Sequence, residues 1–198
     1  MLGWFAYLWF TPIPAPYQYQ LISEGDSKKF PQMDLDAWPD LKLSQYKVQA
    51  EGIDKPIAEL IVAQQGDGPR VLTYWKNSTN EILYNLDRKP SELSALAAVI
   101  GKHAPKDALI LSWWDTSRQI KLLTGHDTLF TSHLNEPLMV PVAWLEQSKA
   151  IMAYENQFWE SSANSKEQEQ FKRFSQALAA SAEEGVAQLR ELIGSNRE

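Results

Sequence analysis

The chain has no cysteine. That excludes a disulfide framework, a thiol nucleophile, a zinc knuckle and the CxxCH attachment of a c-type haem, and it leaves the choice between cytoplasm and periplasm open. Histidine is scarce. The three present, His103, His126 and His133, show neither H-x-H nor H-x-x-x-H spacing, so each reads as an ordinary imidazole and no metal or other cofactor is expected. Basic clusters do not exceed pairs such as Lys28-Lys29 and Lys172-Arg173. With a formal charge of −6 and a pI near 5.2, there is no long-range attraction for phosphate backbones, and nucleic acid is not an expected partner. A G-x-S-x-G nucleophile elbow is missing too, and Ser117 falls inside an expected helix, which argues against a hydrolase triad.

What is present is ordinary for a folded protein. Apolar residues are 44% and charged residues 22% of 198, and a chain of that size buries roughly 70% of its unfolded surface. The first ten residues, MLGWFAYLWF, are uncharged and rich in aromatics, and they run into the proline-punctuated stretch Thr11–Pro16. Ten helical residues fall well short of a bilayer core of about 30 Å. The segment also lacks the basic start and small-residue cleavage site of a signal peptide. It reads as a core strand, as a partner-binding or interfacial aromatic segment, or as the end of a membrane anchor whose proline stretch forms a stiff juxtamembrane spacer.

Along the chain the pattern predicts four regions: 1–16 aromatic and proline-rich, 17–90 rich in β-structure, 91–141 a βαβ unit, and 142–198 helical. Tyr17–Ile22 is strand-like, and Asp34–Pro39 reads as a helical turn ended by proline. From Gln45 a period of two, then strands at Ile57–Ala63, Val71–Lys76 and Glu81–Tyr84, predict an antiparallel meander with turns at Gly66–Pro69 and Asn77–Asn80. After Pro90, Leu93, Leu96, Ala97 and Ile100 recur at helical spacing behind Ser91 as a cap. Ala108–Trp113 is a continuous apolar strand, a short helix capped by Asp115 or Thr116 stops at Gly125, and Thr128–Thr131 opens another strand. This helix–strand–helix–strand order predicts parallel pairing, so the fold class is α/β, with α+β possible. Val142–Trp159 and Ser165–Ile193 are expected as two long helices, with Glu155, Glu160 and the glutamates after Ser165 on solvated faces.

The candidate site is Ser112-Trp-Trp-Asp-Thr-Ser-Arg118 together with the following strand. A strand running directly into Asp115 places that carboxylate at the carboxyl edge of a parallel sheet, where open α/β sheets bind ligands. A parallel neighbour would bring Ser132, His133, Asn135 and Glu136 to the same edge. Trp113, Trp114, Asp115, Arg118 and His133 are therefore the expected ligand- or partner-binding residues. The alternative at these positions is that Asp115 only caps its helix and the two tryptophans are core and rim aromatics.

The run from Leu109 to Leu138, LILSWWDTSRQIKLLTGHDTLFTSHLNEPL, resembles the hydroxylamine oxidation protein B family, accessory proteins encoded beside the octahaem hydroxylamine oxidoreductase of ammonia- and methane-oxidising bacteria. The resemblance extends to the Trp144 helix and to the N-terminal aromatic-to-proline junction. It implies a non-enzymatic periplasmic protein tethered to the inner membrane by an N-terminal helix. Its partner would be hydroxylamine oxidoreductase, a multihaem cytochrome c, and the resemblance brings no catalytic residues with it. The block Trp113-Trp114-Asp115 is also similar to the acceptor-binding domain of oligosaccharyltransferase catalytic subunits. There the motif is Trp-Trp-Asp-Tyr-Gly, and here Thr116-Ser117 stand in place of Tyr-Gly. That similarity implies at most a shared fold for binding a small molecule or peptide.

Overall fold

The structure is a computed structural model and describes residues 14–79, 89–133, 141–160 and 165–194. The N-terminal half forms the expected meander. Strands β1 (Tyr17–Gly25), β2 (Leu41–Ala50), β3 (Ala58–Gln65) and β4 (Val71–Asn77) pair antiparallel in the order β1-β2-β3-β4. Leu43 opposes Ala63 and Tyr46 opposes Leu60. β3 is central and buried on both faces, with Ala58 and Leu60 through Ala63 inaccessible. One face packs on Phe30, Met33 and Leu35, which come from the connection between β1 and β2, and on the helices that follow the sheet. That connection holds two single 3-10 turns and then tight turns closed by Trp38 N–H to Leu35 O at 3.0 Å, so the helical turn expected at Asp34–Pro39 is not formed. The other face packs on Trp159 and Phe158. The strand expected at Glu81–Tyr84, the segment Met1–Phe10 and the residues Asn135 and Glu136 lie outside the described residues.

The βαβ unit follows. Helix α1 (Pro90–His103) starts two residues earlier than a Ser91 cap would dictate, because Pro90 takes the first helical position, where its missing N–H costs nothing, and Lys89 becomes the cap. β5 (Leu109–Ile110), α2 (Trp114–Thr124) and β6 (Asp127–Thr128) then run with β5 and β6 parallel, as the alternation predicts, although each strand is only two residues long. α2 ends where expected: Gly125 adopts φ 72° and donates its N–H to Lys121 O at 3.0 Å. Its start differs, since the cap is Trp113, with no side-chain cap bond, and Asp115 lies inside the first turn.

The C-terminal region breaks into more pieces than its periodicity indicates. Val142–Gln147 is 3-10, and α3 (Ser148–Trp159) follows directly. The stretch from Ser165 is two helices, α4 (Ser165–Ala179) and α5 (Ala182–Gly194), which pack on each other. The break has a local cause. Ser181 Oγ accepts from Glu184 N–H at 3.4 Å and donates to the Glu184 carboxylate at 2.9 Å, a side-chain cap that starts a helix. Gly185 then lets the helices approach closely, since a Cβ there would lie 2.4 Å from Ala177 O. Phe174 and Leu192 of this pair close a core over Trp114, Leu129 and Phe130.

Candidate functional site

The tryptophan pair divides by helical phase. Trp114 is 2% exposed, stacks on Phe130 with ring centroids 4.9 Å apart and planes 9° apart, and donates from Nε1 to Ser132 O at 2.7 Å. Trp113 is 42% exposed and packs edge-on against Phe171, at 4.9 Å between ring centroids. The hydrogen bond to Ser132 fixes the chain immediately before His133, which brings that ring to α2 as the parallel β5–β6 pairing predicts. Ser117 is fully buried, and its hydroxyl is bonded to Ser112 O at 3.0 Å and to the Ser112 hydroxyl at 2.8 Å.

One turn into α2, Arg118 is as buried as Trp114. Its guanidinium donates to Arg70 O at 2.5 Å and to His133 Nδ1 at 3.0 Å, while Nε has no partner. Arginine is an obligate donor, so Nδ1 accepts and the neutral ring carries its proton on Nε2. Nε2 faces Glu155 Oε2 at 3.7 Å. The ring stacks on Trp159, 4.6 Å between centroids and 21° between planes.

Glu155 is the residue that sequence reasoning missed. Assigned above to a solvated face, it is buried on α3 and is the acceptor at the centre of the network. Tyr17 OH donates to its Oε1, as does Tyr19 OH at 2.8 Å, and Trp159 Nε1 donates to Oε2 at 2.6 Å. Tyr154 OH accepts from Tyr19 N–H at 2.7 Å and so covers the backbone of the edge strand β1. A signal was available: Ile151, Glu155 and Trp159 form an i, i+4, i+8 stripe, and all three are buried, so Glu155 lies on the apolar face.

Electrostatically the cluster is an alternation of Arg⁺, neutral His and Glu⁻. Burial acts to raise the Glu155 carboxyl, but the facing His133 ring and the hydrogen bonds from Tyr17, Tyr19 and Trp159 outweigh it and hold the group below the usual carboxylate range. Burial, reinforced by the Arg118 charge, lowers the His133 imidazole against the pull of Glu155. Burial also pulls Arg118 down to about 10, which leaves it charged at neutral pH. The Tyr17 and Tyr19 hydroxyls are pushed up, first by burial and then by the charge of Glu155.

Of the five expected site residues, Arg118 and His133 meet directly. Trp114 supports them from the core, while Trp113 and Asp115 stand at the accessible rim. The network ties β1, the β4 approach, α2, the segment after β6 and α3 together through groups already engaged by protein. Its chemistry is that of a clamp. A groove of about 360 Å³ lies against β5, β6 and α4, lined by charges of both signs including Asp107, Lys121 and Lys166, and takes in none of the five residues. Among the described residues no cluster of three or more His, Asp or Glu is arranged to hold a metal ion.

A model of the family described as HaoA-associated protein HaoB matches residues 1–198. The chain belongs to this family. The match agrees with the resemblance seen at Leu109–Leu138 and extends it over the entire sequence. The description names association with another protein and no reaction. No curated protein and no solved structure matches the chain.

Proposed function

We propose that this chain is a non-enzymatic accessory protein that associates with HaoA, the hydroxylamine-oxidising multihaem cytochrome of the resemblance above, and docks on it or assists its assembly. The observation that carries the reading is the family match over the full 198 residues. The site geometry supports it. Of the residues with catalytic potential, Arg118 and Ser117 are buried and His133 is partly buried, and all three are bonded to one another or to backbone, which suits a scaffold better than a reaction centre. Trp113 is exposed and Asp115 half-exposed at the start of α2, and an exposed aromatic is a suitable contact for another protein. Capture of HaoA from native membranes by the tagged chain tests the association.

The proposal includes a periplasmic location and an inner-membrane tether. Its support is the uncharged aromatic segment Met1–Phe10 followed by prolines. No helix among the described residues is long and apolar enough to cross a membrane. Carbonate extraction of native membranes should leave the full-length protein in the pellet, and its release would remove the tether.

A further inference from the structure

The chain enters the fold at Pro14–Pro16, where Pro16 O accepts from Glu51 N–H at 3.1 Å. The next residue, Tyr17, lies against Trp144, with ring centroids 5.5 Å apart. Trp144 belongs to the 3-10 segment Val142–Gln147, which has no buried residue. Its neighbours Val142 and Leu145 are 84% and 55% exposed, among the largest exposures of any big apolar side chains described. An aliphatic pair flanking a half-buried tryptophan thus stands at the point where the chain emerges.

The length of the preceding chain says what could cover it. The six residues Thr11–Pro16 span at most about 20 Å even fully extended. If Met1–Phe10 is held at a bilayer, as in the tether reading on which this inference rests, the face around Tyr17 is confined within that distance of the membrane surface. Tryptophan with adjacent aliphatic residues is the composition favoured at the membrane–water interface, where the ring sits at headgroup level and the aliphatic groups reach the acyl boundary. We infer that Val142, Trp144 and Leu145 form a membrane-contacting patch that seats the folded part on the lipid bilayer beside its tether. Burying the patch at the bilayer restrains rotation of the fold and so fixes which face is turned away from the membrane.

The test uses the full 198-residue chain with phosphatidylcholine vesicles, with and without brominated acyl chains, and reads the tryptophan quenching that disappears in Trp144→Phe. Val142→Ser/Leu145→Ser is the patch variant; both sites are exposed, so its melting temperature should match wild type, and a variant that melts early is replaced by Val142→Thr/Leu145→Gln. We expect Trp144 to be quenched in the wild type and the docked population to fall about tenfold in the patch variant, equivalent to about 1.4 kcal/mol, while flotation with vesicles persists through the N-terminal segment. Flotation without Trp144 quenching overturns the patch and leaves the tether standing. Trp144 quenching in a protein that carbonate releases from native membranes supports the patch and removes the tether. A wild-type chain that does not float overturns the patch. So does loss of HaoA capture in the patch variant with Trp144 unquenched, which would make the occupant a protein.

Discussion

Glu155 lies one turn before Trp159 on α3 and Glu160 caps the helix just after it, and the first is a buried acceptor while the second reaches solvent to pair with Arg70 at 3.2 Å. Glu155→Ala strands two tyrosine hydroxyls and an indole N–H and removes the carboxylate that faces His133 Nε2, so it should cost about 3 kcal/mol or more. Glu160→Ala removes a largely exposed pair and should stay within about 0.5 kcal/mol. Urea unfolding of the two variants checks both. Equal costs would mean that Glu155 does not hold the clamp.

The Trp113-Trp114-Asp115 block separates core from rim in the same way. Trp114→Ala removes a buried ring and its bond to Ser132 and should cost about 3–5 kcal/mol. Asp115 supplies no cap bond and sits in the first turn of α2, so Asp115→Asn should lower stability by at most about 0.5 kcal/mol through the helix dipole. If the rim contacts HaoA, Asp115→Asn weakens binding about tenfold at an unchanged melting temperature. Calorimetric titration against HaoA reads this, and unchanged affinity would remove Asp115 from the interface.

At Gly185 two effects oppose each other. Alanine favours a helix over glycine by about 1 kcal/mol, but its Cβ would fall 2.4 Å from Ala177 O on α4. Overpacking costs typically about 1–3 kcal/mol, so Gly185→Ala should be net destabilising. Thermal melting decides, and a raised melting temperature would mean that α4 and α5 are less closely apposed.

Acid should loosen the clamp in two stages. Because the folded His133 is held below the unfolded imidazole near about 6.5, the unfolded chain binds more protons as pH falls through that value, and stability drops. Glu155 is likewise depressed, so its contribution is present above about pH 4.3, its unfolded value, and is lost below it. His133→Gln should flatten the stability profile between about pH 7 and pH 5 relative to wild type. An unaltered slope would show that His133 is not the group responsible.

The sequence made the sheet legible because Tyr46, Val48 and Ala50 alternate with polar residues and Gly66 marks the turn between β3 and β4, and it made the βαβ unit legible because apolar strand, helix and the glycine stop at Gly125 follow in order. Arg118 and His133 were found together for the same reason, since parallel strands deliver both to one edge. Glu155 was not found, because a glutamate reads as solvent-facing unless its donors are known, and these come from Tyr17 and Tyr19, more than 130 positions away. The α4–α5 break was hidden by an apolar period that continues through it, although Ser181 and Glu184 carried the local signal. Asp115 looked like a cap because a carboxylate after a strand so often is one, yet α2 begins two residues earlier than that reading allows.

The most direct test of the account is isothermal titration of the purified full-length chain into purified HaoA, with both proteins shown to be folded. The account predicts saturable binding at a fixed stoichiometry, without any turnover by the chain alone. Absence of binding at concentrations up to about 1 mM, where even an interaction of about −4 kcal/mol would register, would contradict it.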